Sequence, residues 1–297
     1  MTAPAAATRP LSTRVGRWIR GDRVAVALSL APFFVFCGLF ELVPVLILLG
    51  GALGGWQEPT LDYVLRVFTH PIYRQGVINS FILSGASALI GTIVGTAVGY
   101  AISATHHERV RHTSTALASL TSASGGVALA FAFITVLGAT GAITIALRFL
   151  GIDLYSVFSL YSMGGLIVVY CYFQIPLMVV LMLPAYAAVK QEWREASMVL
   201  GGTSRDFWRR VGIPVLAPAI VSGFILMFAS GMGAYATAAA LVGQFNLMTL
   251  QIQRLRAGEV MFDPAQADAM ASTLLVFVAA AVLLNVLVSR RARRWAS

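Results

Sequence analysis

Residues 195–214 read EASMVLGGTSRDFWRRVGIP and carry five charges in twenty positions. Apolar runs flank the stretch at 161–186 and 215–241, each long enough to cross a bilayer. A bilayer interior solvates neither charge nor broken backbone, so this segment folds at the membrane surface. Tyr186, Val189, Trp193, Ala196 and Leu200 recur at helical spacing, so the chain leaves the preceding span as an amphipathic helix. Gly201 and Gly202 end that helix, because glycine accepts the left-handed conformation of a helix C-terminus. Thr203 then caps a second helix, with Asp206 three residues on as the other half of a capping box. Phe207, Trp208 and Val211 form its apolar side, and Arg205, Arg209 and Arg210 its polar side. Pro214 and Pro218 lie where the next span begins and mark a helix restart. The spacing predicts a helical hairpin over 187–214 with two readings. It is a surface helix whose arginines meet anionic lipid, or a docking element for another protein.

Outward from the hairpin, the chain is 58% hydrophobic and 11% charged, with a mean hydropathy of +0.82. Soluble domains carry roughly 25% charge, so the sequence predicts an integral membrane protein. Six apolar segments, near 24–53, 76–104, 116–138, 161–186, 215–241 and 269–288, have the length of membrane helices. The first is longer than the apolar part of a signal peptide and reads as a retained span. Of the 21 lysines and arginines, only Arg66, Arg74, Arg148, Arg254 and Arg256 fall in the connections opposite the hairpin. The net charge of +9 is therefore read as positive-inside bias with both termini on the hairpin side, and no nucleic-acid partner is expected. The opposite connections, 57–75, 139–160 and 242–268, contain amphipathic stretches, and GAITIALRFLGI (141–152) predicts a short interfacial helix. Residues 1–12 read as disordered, and no internal repeat is visible.

Glu195-Ala196-Ser197, Gly201, then Val211, Ile213 and Pro214 fall at the spacing of a known signature. It is E-A-A, three residues, G, nine residues, I-x-L-P. Here Ser replaces the second Ala, Val the Ile and Ile the Leu. The chain thus resembles the membrane-spanning permease subunits of bacterial ATP-binding-cassette (ABC) importers of type I. NSFILSGASALIGTIVGTAVGYAIS (79–103) resembles the start of the permease core. The six-span layout and LVGQFNLMTLQIQRL (241–255) resemble most the spermidine/putrescine, iron(III), phosphonate and thiamine subfamily, which gives a lean toward a polyamine or phosphonate.

The resemblance implies an all-α membrane fold. It comprises a cytoplasmic arm (1–23), a first transmembrane helix (24–56), a permease core (76–288) with five transmembrane helices, and a basic cytoplasmic tail (289–297). The hairpin becomes the coupling helix, seated in a cleft on a separate ATPase dimer. In that reading Glu195 meets groups at the cleft, Ala196, Val199 and Leu200 give apolar contact, Gly201 makes the turn, and Ser197, Val211, Ile213 and Pro214 complete the motif. The sequence has no G-x-x-x-x-G-K-[ST] phosphate loop, so ATP and Mg are expected on the ATPase and no cofactor on this chain. A second homologous permease, an extracytoplasmic substrate-binding protein and membrane lipid are the other implied partners. The implied location is the bacterial cytoplasmic (inner) membrane.

Within the spans, Glu41 is the one ionisable residue at depth, a substrate contact or a subunit contact. Tyr170, Tyr172 and Gln174, near Pro176, and Ser230, Tyr235 and Thr237 are candidate pathway residues, with helix packing as the competing role. Glu259, Asp263 and Asp268 either face solvent or help dock the binding protein. His106, His107 and His112 read as surface residues, and Cys37 and Cys171 as packing residues. An ion-gradient-driven secondary transporter is the alternative, although it needs several buried relays where only Glu41 is available. No metalloprotease or nucleophile-elbow motif supports an enzyme.

Overall fold

The computed structural model describes residues 26, 29–55, 59–105, 107–241, 245–258 and 262–296, with side chains up to 290. The arm 1–23, His106, Glu259 and the side chains of the basic tail beyond Arg290 lie outside the described residues. Among the described residues all regular structure is helical, and six helical stretches are long and apolar enough to cross a membrane, the third, Val127–Phe149, being made of two short helices.

In chain order, α1 is Ser29–Ala52 and contains a π-helical turn at Gly38–Leu42. Next come α2, Asp62–Thr69, and α3, Pro71–Ser103. Then follow α4, Glu108–Ser122; α5, Val127–Leu137; α6, Ala142–Phe149; and α7, Leu154–Val157. Helix α8 is Met163–Ala187 and α9 is Gln191–Val199. Helix α10 is Ser204–Gly233, with a π-helical turn at Trp208–Gly212. The remaining helices are α11, Ala236–Leu241; α12, Met248–Ala257; and α13, Pro264–Ala296.

The centre of the bundle is α3 packed on α8, with α10 laid against both. Gly91, Gly95 and Gly99 follow each other at four-residue spacing along α3 and bring it against α8. A Cβ on Gly95 would stand 2.5 Å from Met178 Cβ and 2.7 Å from the Ile175 carbonyl oxygen. Lipid tails give helices no hydrophobic reason to associate, so close backbone approach through small residues supplies the contact. Met178, Met182 and Met227 fill the remaining space, completely buried. Buried hydroxyls bond to their own helix, as Ser87 does to the Leu83 carbonyl and Thr92 to the Ala88 carbonyl, both at 2.7 Å. Helix α1 packs on α13 at the periphery and leaves Phe33, Phe34 and Phe40 exposed, as a lipid-facing surface does.

Two spans depart from the sequence expectation. The segment 116–138 is not one helix, because α4 and α5 are separated by Ala123–Gly126, where Gly126 has φ +98°. Hydropathy measures apolar content and not continuity, and a Gly-Gly pair followed the Ser- and Thr-rich end of α4. The chain also does not restart at Pro214. Helix α10 runs unbroken from Ser204, because the π-helical turn just before Pro214 shifts the carbonyl its ring would strike. The helix stops instead at Gly233, and α11 resumes after Ala234 and Tyr235. The two breaks meet: the Gly126 N–H donates to Thr237 Oγ1 at 3.0 Å, and the Tyr170 hydroxyl donates to the Ala234 carbonyl at 2.8 Å. Those bonds satisfy backbone groups that the breaks release.

Candidate functional site

The predicted turn and caps form, although a break at Ala188–Lys190 separates α9 from α8 where one helix from Tyr186 to Leu200 was expected, and the turn is fixed twice. At the end of α9 the Gly201 N–H donates to the Met198 carbonyl at 3.0 Å and the Gly202 N–H to the Ser197 carbonyl at 2.9 Å. This is the double closure of a Schellman turn, with Gly201 at φ +81°. Gly202 is required for a different reason, since a Cβ there would meet Ser197 Oγ at 2.8 Å. The capping box follows: the Asp206 N–H donates to Thr203 Oγ1 at 3.3 Å, and the Thr203 N–H to Asp206 Oδ2 at 3.1 Å. No freely jointed residue is left between the two helices.

At its base the hairpin is tied to the spans by aromatic rings. Trp208 stands edge-on to Tyr100 of α3 at 5.1 Å, and Tyr100 lies 5.8 Å from Tyr186 of α8. The Tyr186 hydroxyl donates to the Thr96 carbonyl at 2.8 Å, and Phe207 is buried beside Trp208. Gly212, the last residue of the π-helical turn, leaves room for the indole, and a Cβ there would run into the Trp208 ring. Each such ring pair contributes about 1 kcal/mol beyond its burial. These contacts join the base of the hairpin to α3 and α8.

The far end of the hairpin has the opposite character. Val199 and Leu200 are each 87% exposed. A groove of about 610 Å³ opens beside them, lined by Trp193, Ala196, Ser197, Leu200, Asp206 and Val211 among others. The structure thus gathers Ala196, Ser197, Leu200, Gly201 and Val211 at one groove. Glu195 and Val199 are exposed on the α9 helix. Ile213 and Pro214 sit past the π-helical turn, with Ile213 in a separate hollow near Tyr100.

The pathway candidates divide into two groups. Tyr170 and Gln174 are packed inside the subunit, as the competing packing role has it. Tyr170 serves the helix break, and Gln174 Nε2 lies 3.4 Å from the Met227 carbonyl. Tyr172, Ser230 and Tyr235 are exposed, with Tyr235 in the break itself and Tyr172 edge-on to Phe133. Glu41 sits midway along α1, exposed, in its π-helical turn.

At the end of the bundle opposite the hairpin, two of the carboxylates read as docking groups serve the chain itself. Asp268 pairs with Arg256 at 2.6 Å, and Asp263 accepts the Gln266 N–H at 3.1 Å at the start of α13. A hollow of about 440 Å³ there is lined by Arg66, His70, Tyr73, Asp263 and Gln266. Sequence reading missed this hollow, because its walls come from α2, α3 and the start of α13, which no local pattern connects.

Known proteins share this architecture. The molybdenum transport system permease of Mycobacterium tuberculosis is 29% identical over 162 residues, which is 54% of this chain and 58% of that protein. The sulfate transport system permease of Salmonella typhimurium is 31% identical over 141 residues, 45% of this chain and 49% of that protein. The chain thus spans about half the length of these curated relatives. Their names do not include the polyamines or phosphonates toward which the sequence leaned. A crystal structure of a bacterial alginate ABC transporter, in complex with an alginate pentasaccharide-bound periplasmic protein, superposes with a TM-score of 0.73. It is 18% identical and covers 95% of this chain and 98% of the matched one, a likeness of fold alone. Residues 89–294 match the profile of the binding-protein-dependent transport system inner membrane components. With the six membrane-length helices and the signature hairpin in place, the chain belongs to that family of transporter subunits.

Proposed function

We propose that this chain is the permease subunit of an ATP-driven ABC importer and forms half of its translocation pathway, with the 187–214 hairpin as the coupling helix. One observation carries the reading. Val199 and Leu200 are left uncovered on a turn whose geometry is fully fixed, at the spacing of the family signature. Exposed apolar side chains on a rigid tip fit insertion into a partner's cleft. Glu195 adds a charge at the edge of that contact. The partner is an ATPase dimer that carries ATP and Mg, since the sequence has no phosphate loop. Closure of that dimer displaces the tip, and the aromatic clamp passes the movement to α3 and α8 as a rigid-body shift.

A second, homologous permease supplies the other half of the pathway, and an extracytoplasmic binding protein delivers the solute. The alginate transporter is described with a ligand-bound periplasmic protein, which supports this last partner. The lysine and arginine asymmetry supports a bacterial inner-membrane orientation with hairpin and termini in the cytoplasm. The exposed pathway candidates Tyr172, Ser230 and Tyr235 offer hydroxyls and Glu41 a carboxylate. That set suits a small polar solute, and relatives are named for transport of molybdenum, sulfate, thiamine and ferric iron.

Purification from native membranes in mild detergent, with every accompanying protein identified, tests the reading. An ATPase and a second permease are expected. The chain alone, with uptake driven by an ion gradient, would instead favour the secondary-transporter alternative.

A further inference from the structure

Where the hairpin meets the spans, two hollows share one wall. The larger, about 310 Å³, is apolar, with Ile213, Leu216 and Ile220 along it and Thr96 at its side. The smaller, about 150 Å³, has mixed walls, with Lys190, Arg194 and Ser103 beside Val189 and Phe207. Tyr100, Tyr186 and Trp208 line both and form the partition. The pair is therefore amphipathic along one direction: hydrocarbon at one end, two cations at the other, and three polar-tipped aromatic rings between. Tyr and Trp occupy this level in membrane proteins, where headgroups meet acyl chains. Arginine Nε of Arg194 is buried without a hydrogen-bond partner among the described residues, and so is Thr96 Oγ1. A buried guanidinium N–H without an acceptor is costly, and an anion in the smaller hollow would relieve it.

A small free anion would satisfy the cations and leave the apolar hollow empty. An apolar molecule would fill the slot and leave the guanidinium unmet. We propose that the two hollows bind one anionic phospholipid, its phosphodiester at Lys190 and Arg194 and an acyl chain along Ile213, Leu216 and Ile220. The headgroup chemistry is that of a phosphate ester, and the adjoining slot selects the lipid over free phosphate. The lipid sits among the rings that tie the hairpin to α3 and α8, so it braces the hairpin against the spans. The bracing role rests on the coupling reading, while the binding site rests only on the shape and chemistry of the two hollows.

The test is native mass spectrometry of the detergent-purified chain, with whatever subunits accompany it, exchanged against phosphatidylglycerol, phosphatidylcholine or inorganic phosphate. One phosphatidylglycerol is expected to stay bound at least tenfold more tightly than phosphatidylcholine. Replacing Lys190→Gln and Arg194→Gln together keeps polar side chains of similar length. It lowers retention roughly 30-fold, at about fivefold for each charge near an anionic headgroup. Arg205→Gln, on the exposed hairpin surface outside both hollows, leaves retention unchanged. Ile220→Trp fills the slot without touching a charge and also lowers retention. Equal retention by the double variant, equal retention of both lipids, or displacement of the lipid by inorganic phosphate would each overturn the proposal. Absence of any accompanying ATPase from the wild-type chain, with phosphatidylglycerol still retained, would overturn the coupling reading and leave the lipid site standing.

Discussion

Gly201 and Gly202 are adjacent, and they resist substitution for different reasons. Gly201 has open space around it and a left-handed backbone, so a side chain there costs conformational energy alone, about 1–2 kcal/mol. We expect Gly201→Ala to weaken ATPase co-purification several-fold and Gly201→Asn to weaken it less, because asparagine tolerates that conformation. Gly201→Asp adds a carboxylate beside the apolar tip, and should abolish association and transport while the chain still accumulates in the membrane. Normal transport by a well-inserted Gly201→Asp chain would remove the coupling assignment. At Leu200 the argument is one of area: truncation to Ala removes about 2 kcal/mol of burial on docking, a roughly 30-fold loss of affinity measurable by pull-down. These residues were legible in the sequence because caps and turns are local chemistry. Gly201, Thr203 and Asp206 act on neighbours within a few positions, so a short window holds the whole explanation. The contact of Tyr170 was not legible for the converse reason, since its hydroxyl serves a carbonyl in a different span.

At the scale of elements, the aromatic clamp separates binding from transmission. Trp208→Ala leaves the Schellman turn and the exposed tip untouched. The ATPase should still co-purify with it, while ATP hydrolysis no longer responds to solute-loaded binding protein. Gly212→Ala should show the same split, because the new Cβ pushes Trp208 off Tyr100. If either variant loses the ATPase altogether, the clamp is part of the docking surface. Packing of α3 on α8 gives a stability prediction: Gly95→Leu drives a side chain into Met178 and the Ile175 carbonyl and should lower the thermal midpoint in detergent by an amount set by at least 1–3 kcal/mol of overpacking. Hydropathy located five of the spans, while the third, expected over 116–138, lies at Val127–Phe149, and helix continuity was not legible. The break before α5 rests on the Gly126 N–H reaching Thr237 Oγ1 in a distant segment, and the unbroken run through Pro214 on a π-helical turn, and hydropathy carries no trace of either.

For the whole molecule, composition and charge asymmetry were sufficient for class and for a proposed orientation, while the pathway was not legible. A permease half exposes a surface to lipid and another to its partner, and both are apolar, so burial within one chain leaves Tyr172, Ser230, Tyr235 and Glu41 on surfaces of the same kind. The hairpin escapes this ambiguity because its exposed apolar tip projects from a polar segment. Its contact is the central claim, and a photo-crosslinker placed at Leu200 in native membranes tests it most directly. An adduct with a nucleotide-binding ATPase is expected from Leu200 and none from the same probe at Tyr172. Adducts from Leu200 with lipid alone, or with nothing, would contradict it.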